Sequence, residues 1–229
     1  MTAFPKIIQG GMGVAISNWK LARAVSRLGQ LGVVSGTGIE TILARRLQLG
    51  DPGGAVRRAL AHFPLPAVVE RVLADYFIES GKPDGSPFRL VPKASLKPSP
   101  RFVEPVVVGA FVEVFLAKEG HEGLVGINLL EKIQLTTLPA LFGAMLAGVA
   151  CVLMGAGIPR AIPGALDRLA VGEPAGLKID VEGSLPGEEF VSTFDPKAFC
   201  GGTAPTLQRP KFFAVISSAT LAITLARKS

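Results

Sequence analysis

The sequence predicts an α/β fold built on a parallel sheet. Three observations carry this. Short apolar runs recur along the chain, most break into glycines at their C-terminal ends, and segments of helical periodicity alternate with them. Runs that are apolar throughout, instead of alternating, suit strands covered on both faces.

The first run, Lys6 to Gly10, breaks into Gly10-Gly11-Met12-Gly13. Such a loop leaves backbone amides bare, so a flat or anionic ligand can approach the main chain. Ser17 is a suitable N-cap for a helix from Asn18 to Leu28, with Leu21, Ala22, Val25 and Leu28 on one face and Gly29 as its C-terminal stop. Leu31 to Ser35 is the second strand. It ends in Gly36-Thr37-Gly38 and opens a helix from Ile39 to Leu49, closed by Gly50. Residues 51–122 read as an insertion with helical patterns over Ala55 to His62, Pro66 to Glu79 and Val103 to Glu119, around a Pro/Lys/Ser loop from Gly81 to Arg101. Leu124 to Leu130 is the third strand, with the polar Asn128 inside an otherwise apolar run.

Ile133 to Pro159 contains no charged residue and is long enough to cross a bilayer. Its glycines divide it instead into a helix, Leu138 to Ala147, with Pro139 in the first turn, a stop at Gly148, and a fourth strand, Val149 to Met154, ending in Gly155-Ala156-Gly157. A helix from Arg160 to Ala170 follows. Residues 173–210 read as a second insertion, a hairpin of Leu177 to Val181 and Glu189 to Phe194 turned at Glu182-Gly183-Ser184. Phe212 to Ser218 is the fifth strand, and Leu221 to Arg227 begins another helix.

With 229 residues, 48% of them hydrophobic, and a mean hydropathy of +0.43, the chain is not a disordered one. The net charge of +6 is scattered over Arg45, Arg46, Arg57, Arg58, Lys93, Lys97 and Arg101, with one Trp and one Tyr in all. A basic solvated surface explains that better than a nucleic-acid interface. Cys151 and Cys200 have no metal-ligand spacing, and nothing implies disulfides. No apolar leader is apparent, so a cytoplasmic location is expected. His62 and His121 read as surface residues.

Four strand-end motifs, in matching order and spacing over most of the chain, resemble the nitronate monooxygenase family, formerly 2-nitropropane dioxygenases. They are Pro5-Lys6-Ile7-Ile8-Gln9-Gly10-Gly11-Met12-Gly13, Val33-Val34-Ser35-Gly36-Thr37-Gly38, Val125-Gly126-Ile127-Asn128-Leu129 and Val152-Leu153-Met154-Gly155-Ala156-Gly157-Ile158-Pro159. The resemblance implies an FMN-dependent TIM barrel. It implies flavin contacts from Gly11, Met12 and Gly13, from Ser35 and Gly36, from Asn128, and from the strand ends at Gly155 and Ser217. Taken without it, Asn128 is a hydrogen-bonded core amide, Gly36 and Gly155 are turn residues, and Met12 is core filler.

A TIM barrel has eight strands, and only five are read here, so the fold expected is a partial (β/α)8 barrel, an N-terminal portion of the family's domain. The family's catalytic histidine follows its sixth strand. Neither His62 nor His121 replaces it, and no catalytic residue is carried over. The implied activity is oxidation of a small alkyl nitronate with O2. Two alternatives stand beside it: an FMN-dependent enoyl reductase of fatty-acid or polyketide synthesis, which shares the barrel and its flavin loops, and an inactive remnant or partner-dependent half-barrel. Five strands would also leave open edges at Lys6 to Gly10 and Phe212 to Ser218, a route to self-association.

Overall fold

The computed structural model describes residues 5–226. Four parallel strands form its main sheet in chain order: β1 (Gly32–Ser35), β2 (Val125–Leu130), β3 (Cys151–Gly155) and, as defined below, β6 (Lys211–Ala214). Ser35 lies opposite Asn128, Asn128 opposite Leu153, and Leu130 opposite Gly155. The first expected strand is reduced to one parallel bridge between Ile8 and Leu31, with Gln9 N–H on the Leu31 carbonyl at 3.0 Å and Leu31 N–H on the Ile7 carbonyl at 3.1 Å. Among the described residues this edge is therefore continued by a short extended segment.

Each successive strand is added on the same side of the one before. Right-handed crossovers that step in a single direction put their helices on a single face of the sheet. The core is divided accordingly. Val34, Val125, Ile127, Leu129, Val152 and Met154 pack with the helices in the large cluster, while Leu31, Val33, Cys151 and Leu153 form a small separate one on the opposite face. The helices that pack on the described sheet thus cover one of its faces. On the other face, a Cβ at Gly126 would lie 3.2 Å from Leu153 and 3.3 Å from Val33, so those two side chains close over the glycine instead.

The helix α1 (Trp19–Arg27) is capped by Asn18 and not by Ser17. Asn18 Oδ1 accepts from Lys20 N–H at 3.0 Å and Leu21 N–H at 3.4 Å. Then come α2 (Ile39–Gln48), α3 (Ala55–Leu60) and α4 (Pro66–Tyr76). The segment 51–122 also supplies α5 (Pro100–Lys118), which is buried around nearly its whole circumference and lies at the centre of the helical layer. Its apolarity on all sides matches that position.

Between Ile133 and Pro159 the chain forms a 3₁₀ turn, then α6 (Thr137–Leu146), then β3, with Gly148 in a left-handed conformation (φ +69°) at the break. No helix among the described residues is long and apolar enough to cross a membrane. Beyond α7 (Ile162–Ala170), the strands β4 (Ala175–Ile179) and β5 (Phe190–Phe194) pair antiparallel. With the short α8 (Pro196–Phe199) they seat Phe194 and Phe199 against Phe142 of α6, at ring distances of 5.2 and 6.0 Å. The strand β6 ends at Ala214, earlier than the expected Ser218, and α9 (Ala219–Ala226) completes the described chain. The expected helix end at Arg227 and the chain terminus at Lys228 and Ser229 lie outside the described residues.

Candidate functional site

The face of the sheet without helices is where the polar strand residue points. Residues alternate sides along a strand, and Ile127 and Leu129 belong to the helix-facing core, so Asn128 between them faces the other way. Its Nδ2 donates to the Gly10 carbonyl at 2.6 Å. The glycine loop thus crosses over the C-terminal ends of β1 and β2, and Asn128 ties it there. Gly11 is buried in that crossing. It has φ +67°, and a Cβ on it would lie 2.4 Å from Val33 Cγ1 and 2.9 Å from Asn128 Cβ. Any side chain there meets both a conformational and a steric barrier.

A second set of bonds holds the far end of the loop, and sequence reasoning missed it. Gln9 Oε1 accepts from Val33 N–H at 2.8 Å, so the glutamine side chain continues the pairing that the extended segment begins. Its Nε2 donates to Ser17 Oγ at 3.0 Å, and Ser17 Oγ donates to the Met12 carbonyl at 2.6 Å. The Ser17 carbonyl accepts from Ser35 N–H at 2.8 Å. Ser17 is therefore the knot of the loop instead of a helix cap, and no local pattern distinguishes the two roles. Gly13 (φ +86°) and Ala15 (φ +60°) are also left-handed. Alanine held there is strained by roughly 1–2 kcal/mol, and such strain persists only where surroundings over-determine it.

The expected site residues divide into two groups. Gly11, Ser35 and Asn128 come together on this face, with Met12 (60% exposed) and Gly13 at the solvent side of the loop. Gly36 turns toward the helices, where a Cβ would lie 2.4 Å from Leu129 Cδ2. Gly155 lies against Val215, where a Cβ on it would be 3.2 Å from Val215 Cβ, and Ser217 is exposed two residues beyond Val215. The packing of Gly36 alone accounts for that glycine.

The loop brushes the start of α2, since a Cβ at Gly38 would lie 3.4 Å from Val14 Cγ1. In the first turn of that helix Glu40 carries a buried oxygen, Oε2, without a hydrogen-bond partner among the described residues. Burial pushes its carboxyl above the usual value of 4.5, against its own backbone N–H and the Thr41 hydroxyl. The folded state thus holds this proton more tightly than the unfolded chain does. The resulting stability is full below pH 4.5 and is lost as pH rises through the higher folded value. Glu40→Gln is expected to raise the thermal midpoint at pH 7 and to lose that advantage below pH 4.5. An equal midpoint shift at both pH values would show that the carboxyl does not titrate this way.

Both histidines lie elsewhere. His121 Nε2 meets the Ala117 carbonyl at 2.6 Å and its Nδ1 accepts from Gly123 N–H at 3.0 Å, in the turn before β2, at the opposite end of that strand from Asn128. His62 is exposed, its ring tilted against Phe115 at 4.7 Å. Cys151 is buried and Cys200 half-buried, both as free thiols. No group of three or more His, Cys, Asp or Glu among the described residues is arranged to hold a metal.

Comparison with protein families, with curated proteins and with solved structures gives no match.

Proposed function

We propose that the chain is an FMN-dependent oxidoreductase of the nitronate monooxygenase type, built as successive βα units of a partial (β/α)8 barrel. The observation that supports this best is the bond from Asn128 to Gly10. It brings an amide from the third expected strand and a bare glycine loop from the first to one strand end, where α/β proteins bind their ligands. The donor set suits a flavin ring. The backbone amides of the exposed Met12 and Gly13 would bond its carbonyl oxygens and ring nitrogens, the buried Ser35 and Asn128 beneath them would hold the loop in place for the ring, and the exposed Met12 and Val14 offer apolar contact. FMN, when bound, supplies the acceptance of electrons from substrate and their delivery to O2. The protein's part is to hold the ring against the loop, since no acid or base of this chain is assigned a proton-transfer role in the reaction.

These are contacts to the ring and not to the phosphate, so FMN and riboflavin are expected to bind with similar affinity, seen as quenching of flavin fluorescence. Asn128→Leu, close in size, is expected to weaken both about tenfold, the effect of one hydrogen bond. Gly11→Ala should abolish binding by displacing the loop. Consumption of O2 with propyl-2-nitronate in the presence of FMN then tests the reaction itself. Absence of quenching at millimolar protein, or Asn128→Leu binding as wild type, would overturn the assignment.

A further inference from the structure

We propose that the cavity between the turn before α5 and the corner where β5 meets α8 is a binding site for a small organic ammonium with an apolar body. It is an open cleft of about 640 Å³, within the range of small-molecule sites. Its walls include Pro100, Val103, Phe194 and Phe199, and its charged lining consists of Arg71, Glu104 and Asp195.

The two carboxylates set the ligand's charge. Glu104 is only 6% exposed. Arg71 donates to it twice, Nε at 2.9 Å and Nη2 at 2.7 Å, but both bonds fall on Oε1. Asp195 similarly uses only Oδ1, accepting from Lys197 N–H at 2.8 Å and Ala198 N–H at 3.3 Å. Among the described residues neither Glu104 Oε2 nor Asp195 Oδ2 accepts a hydrogen bond. Asp195 is an exposed residue and Glu104 Oε2 is not among the buried atoms left without a partner, so a ligand that supplies N–H groups can reach both oxygens and take the place of water there.

The charge balance points the same way. Two carboxylates face one guanidinium, whose side chain is 56% exposed and so is stabilised by water independently of any ligand. An anion would meet a net negative lining, whereas an ammonium completes the pairing. The rings of Phe194 and Phe199 add to this, because aromatic faces attract cations and cover an apolar body. The site is separate from the glycine loop and does not depend on flavin binding.

Calorimetric titration of the full chain with 2-phenylethylamine tests the proposal, with phenylacetate and 2-phenylethanol as the anionic and neutral counterparts. The amine is expected to bind one to one, and the other two at least about tenfold more weakly. Asp195→Asn keeps the Oδ1 acceptor and removes the charge, and should weaken the amine about tenfold. Ala198→Phe, at an exposed position on the cavity lining, should abolish binding with no change in the thermal midpoint. No heat with millimolar amine, equal binding of the acid or alcohol, or unchanged binding in Ala198→Phe would each overturn the proposal. FMN is expected to leave the amine affinity unchanged.

Discussion

Replacing Gly143 by alanine is expected to destabilise the fold by about 3 kcal/mol or more, the upper part of the range for overpacking a core. Gly143 sits in α6 where that helix crosses α5, and a Cβ there would lie 2.0 Å from the Val107 carbonyl oxygen and 2.8 Å from its carbon. These are backbone atoms of the central helix, so no rotamer change relieves the clash. The two helices must separate along their contact, and the surrounding side chains lose dispersion contacts together. Gly164 in α7 is the control. A Cβ there meets nothing within 4 Å, so Gly164→Ala should stabilise by roughly 0.5–1 kcal/mol through helix propensity. Urea unfolding of both variants checks the pair. A Gly143→Ala midpoint equal to wild type would mean that α5 and α6 do not pack as closely as described.

Glu113→Ala is expected to cost a similar amount, about 3 kcal/mol or more. The Glu113 carboxylate lies on α5 with its side chain 4% exposed, and it serves two other helices. Its Oε2 accepts from Trp19 N–H at the start of α1 at 2.8 Å, and its Oε1 accepts from Arg46 Nη1 near the end of α2. Removing it leaves a cation only 25% exposed and a backbone donor without their partner. Burial pushes the Glu113 carboxyl above its ordinary value, opposed by the Arg46 charge and the Trp19 N–H. A neutral amide is therefore tolerated better than alanine, and Glu113→Gln should be clearly the milder variant. By contrast, Lys178 and Glu189 pair at 2.9 Å with side chains 64% and 69% exposed, and Lys178→Ala should leave the urea midpoint nearly unchanged, because water and salt screen an exposed pair. If Glu113→Ala were no worse than Lys178→Ala, the three-helix junction would not depend on this carboxylate.

What the sequence determined by itself was local. Gly29, Gly50 and Gly148 read as stops, and each has a left-handed φ after a helix, because only glycine reaches that conformation at no steric cost. The division of Ile133 to Pro159 into helix and strand follows from the same chemistry. The alternation of apolar runs with helical periodicity specified parallel strands, since such runs bury well only between covered neighbours. Three features were decided by tertiary structure. Ser17 and Asn18 are both good caps, and what assigns the cap to Asn18 is that Ser17 is needed by Gln9 and Met12 across the loop. Ser35 and Gly36 are adjacent, and their strand's parity sends one toward the glycine loop and the other against Leu129. Parity depends on which face the helices cover, and that follows from the direction in which the crossovers step, a property of the whole chain. Glu104 and Asp195 lie far apart in sequence and line one cavity only because the hairpin folds back on α6 beside the start of α5. Spacing along a chain carries capping and periodicity, whereas the meeting of distant carboxylates is set by packing.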